Sequence, residues 1–482
     1  MIDWTSAAIS FDLIYPEIAL LATAALVLLI GCVRRLQPLC FGLSLLGLLV
    51  SMALAVAQWG HQQSGFSGMV TCDSFGVALK VIFAGTSVLA LLIAHRFLHA
   101  KGIARPEFYP LLMISTAGMM IMANTTDLIV MFLGLEIMSV PLYVMAGFAR
   151  RSLESNEAGI KYFIMGAFAS AFLLMGIAFV FGASGTTDLR RLIADCHFIV
   201  SNYQLYLYLG VSLILVGFGF KVAAVPFHTW VPDVYQGAPT PMTTFFSVGP
   251  KAAGFAVLLR IFAIGFTEIE ALGTVFWVLA VLTMTVGNIM ALRQENVKRM
   301  LAYSSIAHSG YLLVALAVGG EDAISAAVFY LVAYAMFNLG AFAVVTLLET
   351  RSGCKSDFTE LNGLSRANPY LAAVLALFMF SLAGFPPTVG FVGKFYIFSA
   401  AVKAGYIWLT VIGVMNSFLS VYYYLRVIKA SYLDQPEGAF ISVRYSPAIL
   451  LALLITAVGT LGLGFFPQRL LEISQSALFA FL

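Results

Sequence analysis

Apolar runs of about 20 residues recur along the whole chain, separated by short polar stretches, and each is long enough to cross ~30 Å of hydrocarbon as a helix. The pattern predicts fourteen spans: 12–33, 39–59, 74–98, 107–124, 126–149, 157–183, 203–227, 240–264, 271–292, 297–319, 322–349, 368–401, 404–433 and 446–466. The twelfth is too long for one straight helix. It contains Pro386-Pro387, which lack backbone donors and force a break. Residues 468–482 read as a short amphipathic tail. The expected fold is an all-α polytopic membrane protein with about fourteen transmembrane helices.

The loops between these spans sort by charge. One alternating set carries Arg34, Arg35, Arg96, Lys101, Arg105, Arg150, Arg151, Arg293, Lys298, Arg299, Arg351, Lys355, Arg366, Arg426, Lys429 and Arg444. The other carries only Arg190, Arg191, Lys403 and Arg469. The positive-inside rule makes the first set cytoplasmic, so both termini are expected outside. One missed helix would scramble this sorting, so it also supports the count. The loop at 350–367 is the longest on the inner side and reads as a surface segment.

Two hydrophobic segments are interrupted by Gly and Pro, a mark of inverted repeats in transporters. Gly217, Gly219, Lys221 and Pro226 lie in the seventh span; Gly384, Pro386, Pro387, Gly390, Gly393 and Lys394 lie in the twelfth. They are five spans apart, an odd number, so two five-helix repeats would lie in opposite orientation. The expected organisation is an N-terminal three-helix segment (1–106), a first repeat of spans 4–8 (107–264), a second of spans 9–13 (271–433), and a last span with its tail (434–482). In this scheme Glu136 faces His308 as an equivalent, and Lys221 faces Lys394.

Composition agrees with the pattern. The chain is 61% hydrophobic and 10% charged, against roughly 25% charged in soluble domains. A net charge of +3 argues against a broad nucleic-acid surface. Cys32, Cys40, Cys72, Cys196 and Cys354 are scattered, with no CxxC spacing, and read as small apolar residues. Met1 to Asp12 lacks the basic region of a cleaved signal, so Ile14 to Cys32 reads as a permanent first span.

Four ionisable residues stand deep inside spans: Glu136, Lys221, Lys251 and Lys394. A charge at the bilayer centre costs roughly 2.5–3.5 kcal/mol on insertion scales, so such residues read as functional. Burial disfavours an ammonium and a facing carboxylate favours it. Glu136 is therefore expected to pair with Lys221 and tune it. Lys251 follows Gly249-Pro250 in mid-span, far from any surface. His308 reads as a proton group or as a satisfied polar group. Lys161, four residues after Glu157, reads as a proton group or as half of a helical ion pair. His228 sits at the inner mouth of the seventh span, where it gates or caps. Lys80 and Arg260 lie near span ends and read as snorkelling. There is no metal spacing, HExxH or GxSxG, and Gly393-Lys394 fails the phosphate-loop pattern. Three lysines repel a metal cation, so a line of Glu, Lys and His side chains suits protons better.

Longer motifs carry a resemblance. GFKVAAVPFHTWVPDVYQGAPTP (219–241), VGPKA (248–252), YSSIAHSGYL (303–312) and AGFPPTVGFVGKF (383–395) resemble the antiporter-like subunits of proton-pumping NADH:quinone oxidoreductase, respiratory complex I. Within that group the chain looks like subunit N, the counterpart of mitochondrial subunit 2. Lys394 stands where subunit M is expected to have Glu, and no long lateral helix like that of subunit L follows the last span. The first three helices, lost in animal mitochondrial homologues, are present, which favours a bacterial inner membrane. The resemblance implies a proton pathway through Glu136, Lys221, Lys251 and Lys394, driven by quinone reduction elsewhere in the complex. It implies no cofactor in this chain; NAD, FMN, iron–sulphur clusters and quinone belong to other subunits. The related multi-subunit sodium/proton antiporters are the alternative.

Overall fold

The computed structural model describes residues 10–265, 269, 271–350, 356–435 and 445–479. Arg351, Cys354, Lys355 and Arg444, named above, lie outside them. Among the described residues, twelve helices are long and apolar enough to span a membrane, and Phe108–Ala123 and Pro369–Ala383 are shorter apolar helices. Together they occupy the fourteen expected places. In order they are Phe11–Gly31, Leu39–Ala57, Ser74–Ala100, Phe108–Ala123, Leu128–Ala146, Leu153–Ser184, Cys196–Val222, Thr240–Phe262, Ala271–Leu292, Val297–Val318, Gly320–Glu349, Pro369–Ala383, Ile407–Tyr432 and Pro447–Phe465, called spans 1–14 below. The tail forms the helix Gln468–Phe479. A small antiparallel hairpin, Gln63–Gly65 with Val70–Cys72, joins spans 2 and 3. The hydrophobic pattern did not anticipate it, because six strand residues are too few to show a period.

Both expected breaks are present. Span 7 ends at Val222, where Ala223 turns into the left-handed region (φ 61°), and a short helix, Trp230–Gly237, resumes after Pro226. Span 12 ends at Ala383, where Gly384 (φ 90°) does the same, and Val389–Lys403 resumes after Pro387. Each break is closed alike: the second amide past the helix, of Ala224 or Phe385, donates back to the carbonyl of Gly219 or Phe380. A cis peptide precedes Pro226 and Pro387 in turn.

The repeats show in the backbone at a shift of 169 residues through spans 4–6 and 9–11, which shortens to 161 at the breaks, Ala223 and Gly384. Isolated bridges pair Asp127 with Asp188 and Asn296 with Asp357. Asp127 and Asn296 also cap the helices that follow, accepting from Ile129 and Val130 amides and from the Arg299 amide. A Cβ on Gly118 would meet the Met138 amide at 2.4 Å, and one on Gly287 would meet the Ala307 amide at 2.7 Å. Both contacts bring neighbouring helices to backbone distance, as small residues do in membranes. Spans 5 and 10 are five crossings apart, so their capped ends face opposite sides of the bundle.

Burial separates the spans by role. Spans 8, 10 and 11 are buried over 100%, 94% and 89% of their apolar windows, whereas spans 1, 2, 6, 13 and 14 are buried over about a third or less. Lys251, His308 and the tyrosines of span 11 therefore sit in the middle of the protein, away from lipid.

Candidate functional site

Lys221 is the penultimate residue of span 7 and is 3% exposed. Its Nζ lies 3.5 Å from the Tyr143 hydroxyl. Three rings surround it, Tyr143, Tyr162 and Phe220, at 5.2, 5.4 and 5.8 Å. Such faces attract a desolvated cation without replacing its hydrogen bonds. Gly166 makes the room, since a Cβ there would lie 2.2 Å from the Tyr143 hydroxyl oxygen. The expected Glu136–Lys221 ion pair does not form. Glu136, half-buried, accepts instead from the Ser170 hydroxyl of span 6 and acts on Lys221 and Tyr143 only through its field. Both residues follow the helix pattern, but Glu136 faces span 6 while Lys221 points under Tyr143.

Lys251 binds span 10. Its Nζ donates to the Ser305 carbonyl at 2.8 Å, the Ser305 hydroxyl at 2.5 Å and the Ser309 hydroxyl at 3.3 Å. The Tyr334 hydroxyl donates to the same Ser305 oxygen at 2.7 Å. A cavity of about 10 Å³, near the lower limit for one water, touches Lys251, Ser305, His308, Ser309 and Tyr334. His308 uses both ring nitrogens: Nδ1 is 2.6 Å from the Tyr330 hydroxyl and Nε2 is 3.1 Å from that of Tyr424. Both nitrogens are thus hydrogen-bonded, within a network that extends on to Ser304.

Lys394 lies past the span 12 break. Its Nζ donates to the Leu382 and Ala383 carbonyls, both at 3.1 Å, and to the Ser417 hydroxyl at 2.9 Å. These carbonyls are the acceptors that the broken helix leaves without amide partners. The Tyr311 ring covers the ammonium at 4.8 Å and meets His308 edge-on at 5.6 Å. From Lys251 through His308 and Tyr311 to Lys394, polar groups follow one another across spans 8 and 10 and the helix Val389–Lys403.

The repeat register revises two equivalences expected above. Glu136 stands nine residues after its cap, and the ninth after Asn296 is Ser305; His308 matches Ser139 instead. Lys251 thus binds the counterpart of Glu136. Lys221 precedes its break and Lys394 follows its own. Counted from the second break residue, Pro226 or Pro387, the counterpart of Lys394 is Asp233.

Lys161 lies outside the buried line. Its side chain is 40% exposed and pairs with Glu157 at 2.6 Å and Asp233 at 2.8 Å. Arg299 reaches the other Asp233 oxygen at 2.8 Å. Burial pushes the Asp233 carboxyl up, but the hydrogen bonds from Lys161 and Arg299 outweigh it and hold it below the usual carboxylate range. His228 is half-buried in the span 7 break, and its carbonyl accepts from Val231.

Lys80 and Arg260 do not snorkel. Lys80 is fully buried against Glu17 at 2.8 Å, and Arg260 grips both oxygens of Asp73 at 2.8 and 3.0 Å. Hydropathy shows how deep a charge lies along its own helix, but not which helix faces it, so these pairs were invisible. Tyr143, Ser305, Tyr330 and Tyr424 were missed because hydroxyls in an apolar run resemble ordinary packing. Among the described residues no three His, Cys, Asp or Glu side chains gather as a metal set.

Comparison with known proteins places this geometry. The family described as NADH:quinone oxidoreductase/Mrp antiporter, TM, matches residues 125–420. The chain is 46% identical over 472 residues to NADH-quinone oxidoreductase subunit N of Trichlorobacter lovleyi, covering 97% of each chain. It is 42% identical to subunit N 2 of Roseiflexus castenholzii, over 90% of this chain and 89% of that one. In solved structures it matches a chain of respiratory complex I from Thermus thermophilus, with TM-score 0.81, 33% identity, and coverage of 95% of this chain and 98% of that one. A chain of the Mrp complex from Dietzia shares the fold, with TM-score 0.84, 24% identity and coverage of 97% and 96%. The chain belongs to the NADH:quinone oxidoreductase/Mrp antiporter family and, within it, to the subunit N branch.

Proposed function

We propose that the chain is a proton-translocating membrane-arm subunit of an NADH:quinone oxidoreductase, moving protons from cytoplasm to periplasm as quinone is reduced elsewhere in the complex. The observation that carries this reading is the buried line from Lys251, through the Ser305 and His308 network, to Lys394. A lysine ammonium bound by hydroxyls and carbonyls can pass a proton to water and regain one without moving heavy atoms far. Glu136 biases Lys221 through its field, Lys251 links the two halves, and Lys394 faces the exit. Lys161, at the cytoplasmic end of span 6, has a lesser part, held by Glu157 and Asp233. The loop charges orient both termini to the periplasm of a bacterial inner membrane. Redox cofactors, NAD, FMN, iron–sulphur clusters and quinone, belong to partner subunits.

The test uses the assembled complex in proteoliposomes. Lys221→Ala, Lys251→Ala and Lys394→Ala are each expected to assemble, with proton pumping and NADH:quinone turnover falling together. Normal pumping by all three would overturn the reading. Failed assembly, with normal pumping by whatever complex survives, would instead mark the buried charges as pins between helices.

A further inference from the structure

The buried line needs an inlet from the aqueous side. A cavity of about 860 Å³ opens at the ends of spans 3, 5, 6, 8, 10 and 11. Lys101, Arg105, Arg150, Arg151, Glu154 and Asp357 are charged groups around it, and Lys298 and Glu349 form its floor. The Glu349 side chain is 11% exposed. Its Oε1 lies 3.4 Å from Lys298 Nζ and accepts from the Ser356 hydroxyl. Its Oε2 accepts from the Thr240 hydroxyl at the start of span 8. Lys298 also donates to the Ala238 carbonyl at 2.9 Å. The carboxylate therefore touches the vestibule on one side and the protein interior on the other.

A polar file leads inward from Thr240. On span 8 Thr240, Thr244, Ser247 and Lys251 are spaced four, three and four residues apart, and so share one helical face. All four are buried. The Thr244 and Ser247 hydroxyls donate back to the carbonyls of Thr240 and Thr244, both at 2.8 Å. Their oxygens keep lone pairs free to accept from water. Opposite, Asn338 of span 11 donates to Ser247 Oγ at 2.7 Å, while its own buried Oδ1 has no hydrogen-bond partner among the described residues. One turn along span 11, Tyr334 donates to Ser305, which binds Lys251. Small hydroxyl residues alone would serve close helix packing. A buried carboxylate at one end, an amine at the other and an unsatisfied amide oxygen between them do not serve packing.

We propose that Glu349 is the proton-loading group of this chain, taking protons from vestibule water and passing them along the Thr240–Thr244–Ser247 face to Lys251. The inference rests on the reading of Lys251 as a proton carrier. A hydronium ion gives its proton to a Glu349 carboxylate oxygen and leaves as water. The acid then releases that proton to water held along the file, and the lone pair of a neutral Lys251 amine takes it up. Glu349 returns to a carboxylate beside Lys298, so one proton enters and one arrives.

The test again uses the assembled complex in proteoliposomes, with the vestibule side facing the bath. Glu349→Gln is expected to slow pumping and coupled turnover about tenfold at neutral pH, and to recover as the bath is acidified by about two units, because loading then depends on bulk protons. Glu349→Asp should retain most of the rate. Glu349→Gln leaves Lys298 buried without its anion, so the double variant Glu349→Gln/Lys298→Met separates the effects and should be as slow as the single. A double variant pumping at the native rate, while Lys251→Ala stays slow, would overturn the inlet and leave the line standing. Native rates for the double variant and for Lys251→Ala alike would overturn the line itself. A slow variant that acid does not rescue, or failure of both Gln variants to assemble, would assign Glu349 a structural role and also overturn the proposal.

Discussion

The two broken helices share a backbone and differ in where they keep their amine. At span 7 the lysine lies before the break, in an aromatic cage with a single hydroxyl at 3.5 Å. At span 12 it lies after the break and binds the two freed carbonyls and Ser417. The Trp230 indole already donates to the Phe220 carbonyl at 3.0 Å in the first break. Lys221 thus has few acceptors and depends on the field of Glu136, whereas Lys394 carries its acceptors with it. A helix break creates acceptors, and neighbouring side chains decide whether an amine, an indole or water takes them.

The largest test of this contrast is at Glu136. If Lys221 relies on that field, Glu136→Gln should slow NADH-driven pumping about tenfold, the equivalent of ~1.4 kcal/mol, with assembly intact. Ser417→Ala removes one of three partners from Lys394 and should slow pumping less than threefold, near 0.6 kcal/mol. Equal losses for the two variants, measured in the same vesicles, would erase the distinction.

A smaller effect is expected at the turn residues, where the breaks exchange Ala223 for Gly384. A non-glycine residue in the left-handed region costs roughly 1–2 kcal/mol, and glycine loses about 0.5–1 kcal/mol of chain entropy on folding. Ala223→Gly should therefore change the melting temperature of the complex little. Gly384→Ala should lower it and also slow pumping, because the new Cβ would sit 3.2–3.3 Å from Lys394 Cδ and Nζ. Thermal denaturation of both variants decides it, and a larger loss from Ala223→Gly would contradict the shared geometry.

What was legible in the sequence follows from what a one-dimensional pattern records. Hydropathy records length along a helix, so the fourteen spans and both breaks could be placed from apolar runs and prolines. Glu136, Lys221, Lys251 and Lys394 could be singled out because a charge in such a run is costly wherever it points. Facing was not recorded. Glu136 turned toward Ser170 and away from Lys221, and Lys80 and Arg260 met Glu17 and Asp73 from other helices. The counterparts of Glu136 and Lys394 were misjudged for a related reason: matching residues by chemical type carried no register, whereas the caps at Asp127 and Asn296 and the break residues Pro226 and Pro387 do.

The register of the two breaks gives the last and smallest test. Asp233 holds the place in the first repeat that Lys394 holds in the second, yet it is an open ion-pair hub for Lys161 and Arg299. Its carboxyl titrates below the usual carboxylate range, so its contribution is fully present above the unfolded value and fades only as pH falls through the lower folded one. Asp233→Asn should therefore lower the melting temperature by about one degree or less, an effect of about 1 kcal/mol or less for exposed pairs. The difference from the native complex should stay constant between neutral pH and about pH 5, well above the titration. Pumping should change little, because the triad ties the short helix after the break to spans 6 and 10 and carries no buried amine. A loss of pumping as large as that of Lys394→Ala would mean that the two places share a task as well as a position.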